Sequence, residues 1–98
     1  MNNRRKKSDP GSELYRAILA LKTPEECYAF FLDLCTQTEL RAIEQRYEVA
    51  KMLSQGMIYN DILAITGASS ATVSRVNRSL LNGTNAYQMI FDRMQDEQ

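Results

Sequence analysis

Apolar residues recur at helical spacing along most of the chain, and no segment alternates convincingly with a period of two. Leu14, Ile18 and Leu21 start the pattern at spacings of four and three. The sequence therefore predicts an all-α protein with six helices. We expect a single helical domain over residues 12–95, between an arm at 1–11 and a polar tail at 96–98.

Start and stop signals separate the second and third helices. The segment Thr23-Pro24-Glu25-Glu26 provides a hydroxyl cap, a proline at the first helical position and an acid three residues after the cap. Thr36-Gln37-Thr38-Glu39 repeats the capping logic and opens the longest helix, which we expect to end in a left-handed turn at Gly56. The predicted apolar positions are Cys27, Phe30, Phe31 and Leu34 in the second helix, and Leu40, Ile43, Tyr47, Ala50 and Leu53 in the third.

Three shorter helices follow Gly56. The fourth ends at Thr66-Gly67, either Ser69 or Ser70 caps the fifth, Asn82-Gly83 closes it, and the sixth lies near residues 85–94. Their predicted apolar positions are Ile58, Ile62 and Ile65, then Val73, Val76 and Leu80, then Tyr87, Ile90, Phe91 and Met94.

Composition argues against an enzyme and against a metal or cofactor. The 98 residues contain no His, the commonest general base and metal ligand, so a nucleophile such as Cys35 or Ser70 has no histidine to activate it. Cys27 and Cys35 fit neither a disulfide framework nor a zinc site. We therefore expect no catalytic residue, no metal and no cofactor, and a reducing, cytoplasmic compartment.

The first residues form a basic arm. Arg4, Arg5, Lys6 and Lys7 precede Pro10-Gly11, and no apolar stretch follows as a signal peptide would require. No apolar run is long enough for a membrane helix, so we expect a soluble protein with no membrane partner. Taken alone, this arm is best interpreted as a solvated tail, and it becomes an equally good candidate for DNA contacts only beside the helix-turn-helix described next.

Residues 58–81 have the spacing of a helix-turn-helix. Gly67 tolerates a positive φ, Ala68 allows a close approach, and Ile62, Val73 and Val76 fall at the buried contact. Small residues and then cations occupy the outer face of the second helix, which suits a major groove, and they are Ser70, Ala71, Thr72, Ser74, Arg75 and Arg78. An ordinary helical hairpin is the alternative.

The charge distribution favours the DNA-binding interpretation. The chain has 12 Lys and Arg against 12 Asp and Glu, a net charge of zero. However, no acid occurs from Ile62 through Phe91, so this half is locally positive.

The wide apolar arcs of the second, third and sixth helices indicate a homodimer. We favour it over a monomer in which these arcs pack against one another.

From Leu34 to Met94 the sequence resembles the Trp repressor superfamily, and most closely its TrpR-related branch of YerC/YecD type. The matching residues are Leu34-Cys35-Thr36, Glu39, Ala42-Ile43, Arg46, Met52-Leu53, Gly56, the stretch Thr66 through Arg75, and Ser79-Leu80. The resemblance implies a six-helix, intertwined homodimer that regulates transcription from a pseudo-palindromic double-stranded operator, most simply as a repressor.

The resemblance also assigns residues to the DNA interface. It places Ser70, Ala71, Thr72 and Ser74 against bases, partly through water, and Tyr59 and Asn60 against phosphates and nearby bases. Leu63 stands where the classical repressor carries a cation, so one phosphate contact is lost.

An effector pocket is half retained in this comparison. Thr36, Arg46 and Arg75 match the corepressor-binding positions, and Ser79 lies beside them, but Val76 replaces a glycine. Because a branched side chain there occupies space that an indole needs, we expect no tryptophan binding, while another small ligand stays open. Pairing of Arg46 and Arg75 with Glu39, Glu44 or a phosphate is weighed ahead of a ligand role.

A second function from another class also fits the sequence. The helix-turn-helix of a small interaction module could dock on a protein of the transcription or replication machinery. Loss of DNA affinity with rising salt is expected only of the DNA-binding interpretation.

Overall fold

The computed structural model describes residues 8–96, so the arm residues Arg4 to Lys7 lie outside the described part. The described residues contain six α-helices and no β-strand, which confirms the predicted all-α class. The helices are α1 (Glu13–Ala20), α2 (Pro24–Leu34), α3 (Gln37–Ser54), α4 (Tyr59–Thr66), α5 (Ser70–Asn82) and α6 (Ala86–Asp96). Within residues 8–96, no helix is both long and apolar enough to cross a bilayer.

The chain divides into two compact units, and the first, Met1–Gln37, contains α1 and α2. The predicted start of α2 is confirmed, because the Thr23 hydroxyl accepts the Glu26 N–H at 3.0 Å and Pro24 is the first helical residue. The Glu26 carboxylate accepts the backbone N–H of Lys22 at 2.8 Å. None of the described residues of this unit is buried.

The second unit, Thr38–Gln98, holds the buried core. Apolar side chains of α3, α4, α5 and the turn between α4 and α5 form it, namely Val49, Ala50, Ile62, Ala68, Val73 and Val76. Partly buried side chains such as Leu53, Leu63 and Leu80 pack against this cluster. The expected single domain over residues 12–95 stays a prediction.

The predicted apolar face of α3 is wrong in one respect. Val49 is completely buried although the predicted register omits it, whereas Ile43 is 41% exposed. The reason is that α3 meets the core through the adjacent positions Val49 and Ala50, which rotates the buried stripe away from Ile43. Of the three isoleucines predicted for the fourth helix, Ile58 lies just before α4 as its N-cap, Ile65 is exposed, and only Ile62 is buried.

Two glycines end helices with positive φ, as the sequence predicts for Gly56 and Gly67, whose φ angles are 83° and 71°. Gly83 closes α5 differently, with φ of −87° and its N–H donating to the Ser79 carbonyl at 2.9 Å. Asn85, just before α6, has φ of 69°, which the sequence analysis did not anticipate.

An aromatic cluster joins α3 to α6. The ring centroids of Tyr47 and Phe91 are 5.6 Å apart in an edge-on arrangement, and those of Tyr87 and Phe91 are 6.1 Å apart and stacked. The Tyr47 hydroxyl also donates to Met94 Sδ at 3.2 Å. These contacts place α6 against α3 within the second unit.

Candidate nucleic-acid interface

The turn between α4 and α5 is closed by its own hydrogen bonds. The Gly67 N–H donates to the Leu63 carbonyl at 3.0 Å, in the left-handed conformation that ends α4. The Thr66 hydroxyl donates to the Ile62 carbonyl at 2.7 Å and accepts the Ala68 N–H at 3.1 Å. The direction in which the chain leaves α4 is therefore fixed over three residues.

Apolar packing beneath this turn fixes the outer face of α5. Ile62, Val73 and Val76 are buried together, as the sequence predicts, and Ala68 allows the turn to lie close to them. Because residues on a helix advance by about 100° each, burial of Val73 and Val76 turns Ala71, Arg75 and Arg78 outward.

Ser69, and not Ser70, caps α5. Its hydroxyl oxygen accepts the Thr72 N–H at 3.1 Å and donates its own proton to Thr72 Oγ1 at 3.0 Å. Because Thr72 Oγ1 accepts from Ser69, its own proton is left for an acceptor outside the pair. Thr72 therefore presents a hydrogen-bond donor at the start of α5.

The predicted DNA-contact residues lie on α4 and α5, and most are exposed. Ser70, Ala71, Arg75 and Arg78 are exposed on α5, Thr72 and Ser74 are half-buried, and Tyr59 and Asn60 are exposed at the start of α4. Within residues 8–96, neither Arg75 nor Arg78 forms an ion pair, so both guanidinium groups are available to an anionic partner.

The predicted effector residues do not form one described pocket. Val76 is 2% exposed and belongs to the core, and Arg46 is half-buried on α3. Ser79 lines a cavity of about 440 Å³ together with Tyr47, Ile90 and the segment 83–87. Thr36 belongs to the first unit, Met1–Gln37. Among the described residues, no ion pair links Arg46 or Arg75 to Glu44.

The sequence analysis did not predict a polar contact between α3 and the end of α4. The half-buried Gln45 on α3 donates from Nε2 to the Thr66 carbonyl at 3.2 Å. Gln45 lies four residues before the buried Val49, hence on the same face of α3. The sequence contains one signal for this contact, which is a polar residue one helical turn before a buried one. That signal is useful only when Val49 is already known to be buried.

Comparison with known proteins identifies the family. The model of the family described as Trp repressor protein matches residues 12–95. The chain is also 51% identical over 84 residues to the uncharacterized protein YerC of Bacillus subtilis (strain 168), covering 86% of this chain and 81% of YerC. The chain belongs to the Trp repressor family.

Two crystal structures of Trp repressor-like proteins are similar to this fold. One, a Trp repressor candidate from Staphylococcus aureus, is 55% identical with a TM-score of 0.83, covering 85% of this chain and 83% of that chain. The other, a TrpR-like protein from Eubacterium eligens ATCC 27750, is 51% identical with a TM-score of 0.82, covering 85% and 86%. The Trp repressor family consists of DNA-binding regulators with a helix-turn-helix, so the chain is not an enzyme.

Proposed function

We propose that this Trp repressor family member is a sequence-specific transcriptional regulator, most simply a repressor, which binds a pseudo-palindromic operator as a homodimer. The observation that carries the proposal is the outer face of α5. It presents small side chains at the helix start and two arginines without an ion pair in the described part, directly opposite a buried apolar seam. A rigid, acid-free face of this kind is complementary to a DNA groove.

Each side chain of this face then has a distinct role. The small residues Ser70 and Ala71 allow α5 to approach the base edges, and Thr72 donates to an acceptor there. Arg75 and Arg78 neutralise phosphates and set the register on the duplex. Ser74, with Tyr59 and Asn60 at the start of α4, completes the contact, and Arg4, Arg5, Lys6 and Lys7 add electrostatic attraction from outside the described residues.

The distribution of buried residues supports the homodimer. α1 and α2 carry apolar side chains, including Phe30, Phe31 and the half-exposed Leu34, but none of their residues is buried. Exposed apolar arcs of this extent are unfavourable in water, and a second copy of the chain supplies the missing cover. Two symmetry-related α5 helices then meet two half-sites about one helical turn apart.

We further propose that tryptophan is not the corepressor. Val76, next to Arg75 in the sequence, is 2% exposed and packs with Val73 and Ile62 in the core, and a branched side chain at this position leaves less room for an indole than a glycine does. Titration calorimetry with L-tryptophan and the purified protein should give no heat of binding. Tight binding would contradict this part of the proposal and leave the DNA-binding part intact.

The proposal is tested by selecting duplexes from a random pool with the purified protein. We expect the selected duplexes to share one two-fold symmetric sequence. The protein bound to each duplex should have the mass of two chains. Thr72→Tyr places a bulky side chain at the groove-facing start of α5, so a folded variant should lose affinity for that duplex. No selected sequence and no shift of any duplex at low salt would contradict the proposal.

A specific observation favours one alternative function. Ile58, the residue just before α4, and Ile65 in its last turn are 65% and 61% exposed, and their spacing of seven residues places them on one side of the helix. Exposed apolar pairs are typical of protein-docking surfaces, so α4 could bind a protein of the transcription or replication machinery. In that case DNA affinity should be insensitive to Arg75→Ala and Arg78→Ala, whereas Ile58→Ser or Ile65→Ser should abolish capture of the partner.

A further inference from the structure

One hydrogen bond ties α3 to the last turn of α4. Gln45 Nε2 donates to the Thr66 carbonyl at 3.2 Å, between residues 21 positions apart, in a partly buried setting. A helix end leaves its last four carbonyls without intrahelical donors. The Thr66 hydroxyl forms hydrogen bonds with the Ile62 carbonyl and the Ala68 N–H. The main-chain carbonyl of Thr66 receives its donor from Gln45 on α3.

The position of this bond matters for the reading head, by which we mean α4, the turn and α5 (residues 59–82). The head contacts α3 mainly through apolar side chains around Val49 and Ala50. Apolar packing attracts without a preferred direction, so similar packing is compatible with small rotations of the head. A hydrogen bond restricts both distance and angle, and this one holds the turn that sets the direction of α5.

We propose that Gln45 is a positioning residue that holds the reading head on α3 in its DNA-binding orientation. The inference rests on the proposed DNA-binding function, and it identifies Gln45 as the residue that sets the orientation of the reading head. Since both ends of the bond belong to the chain itself, the orientation is set without a bound effector. The energy of DNA binding is then not spent on ordering the head.

The test compares Gln45→Met with the matched control Gln55→Met. Methionine matches glutamine in length but cannot donate, and Gln55 is exposed beyond the end of α3. A net hydrogen bond contributes about 0.5–1.5 kcal/mol and the proposed dimer carries it twice, so Gln45→Met should weaken binding to the selected duplex by about fivefold to 150-fold. Binding to a duplex of random sequence and equal length should not change, and Gln55→Met should match the original protein for both.

Amide hydrogen exchange without DNA supplies a readout independent of the proposed function. In Gln45→Met, exchange at Gly67 and Ala68 should accelerate by about threefold to tenfold, the effect of one lost bond in each chain, while exchange in the middle of α3 stays the same. Gln45→Lys keeps a donor at similar reach, so it should restore slow exchange and separates the hydrogen bond from simple packing.

Unchanged exchange in the head of Gln45→Met would overturn the proposal, and so would equal acceleration in α3, which indicates general destabilisation. If Gln45→Met does not fold, Gln45→Lys decides the matter, because fast head exchange in that folded variant also contradicts the proposal. If the original protein selects no duplex, the DNA-binding function fails, while the exchange data still test the role of Gln45.

Discussion

Two neighbouring serines at the start of α5 differ in what they contribute. Ser69 caps the helix by accepting the Thr72 N–H at 3.1 Å, whereas Ser70 is exposed and is the first helical residue. Ser69→Ala should lower the free energy of unfolding by about 1 kcal/mol, and Ser70→Ala should change it by less than half of that amount. Urea denaturation at one fixed protein concentration measures both, and equal effects would contradict the assigned cap.

The two arginines of the outer face should determine how DNA affinity depends on salt. Each phosphate contact contributes about 0.9 to the slope of log affinity against log salt, and a dimer carries each arginine twice. Arg75→Ala or Arg78→Ala should therefore reduce the slope by about 1.8. Fluorescence anisotropy over a range of salt concentrations gives the slope. Arg93→Ala on α6 is the control, and if it has the same effect, the phosphate contacts do not lie on α5.

For single residues, the sequence predicts which ones belong to the helix-turn-helix better than it predicts which groups they form hydrogen bonds with. The helix-turn-helix residues and the small outer face of α5 follow from spacing alone. The choice between Ser69 and Ser70 does not, because both are good caps and only the backbone conformation decides between them. Gln45 could not be predicted either, because its acceptor is a main-chain carbonyl 21 residues away.

At the scale of the helices, the glycines that end α4 and α5 differ in why they are needed. A Cβ on Gly67 meets no atom within 4 Å, but its φ is +71°. Gly67→Ala should therefore lower stability by about 1–2 kcal/mol through backbone strain alone. Gly67→Asn should cost less, because asparagine tolerates the left-handed region. Thermal or urea denaturation checks this order, and a larger loss for Asn than for Ala would contradict it.

Gly83 is constrained by space and not by φ. A Cβ there would lie 2.4 Å from the Ser79 carbonyl oxygen, a main-chain atom that can move only with the end of α5. Gly83→Ala should therefore destabilise the protein more than Gly67→Ala, and amide exchange should increase in the last turn of α5. If Gly83→Ala is the milder change, the described closure of α5 is wrong.

Helix boundaries are well predicted by the sequence, but buried faces are less so. Capping residues and glycines act locally, so Thr23, Gly56 and Gly67 mark their boundaries correctly. The buried face of α3 depends on which neighbours it meets, and packing of α4 and α5 selects Val49 over Ile43. For the fourth helix the sequence predicts correctly that Ile62 is buried, but it also places Ile58 and Ile65 among the apolar positions, and packing leaves these two exposed.

On the scale of the whole molecule, burial within one chain is concentrated in the second unit. The buried hydrophobic residues of the described part all lie between Leu40 and Val76. α1, α2 and α6 have none, although each carries large apolar side chains. The sequence predicts wide apolar arcs on the second, third and sixth helices, but of these α3 buries residues within one chain, whereas α2 and α6 do not.

The proposed homodimer predicts a different outcome for each face of α2. Phe31 lies on the apolar side of α2, and Ala29 is exposed on the opposite side, next to Asp33. A lysine at position 31 would put an unpaired charge into an apolar interface, so Phe31→Lys should give single chains or an unfolded protein. Ala29→Lys adds the same charge and should keep twice the mass of one chain. Sedimentation and circular dichroism distinguish these outcomes, and a folded, dimeric Phe31→Lys variant would show that α2 does not pack against a second copy.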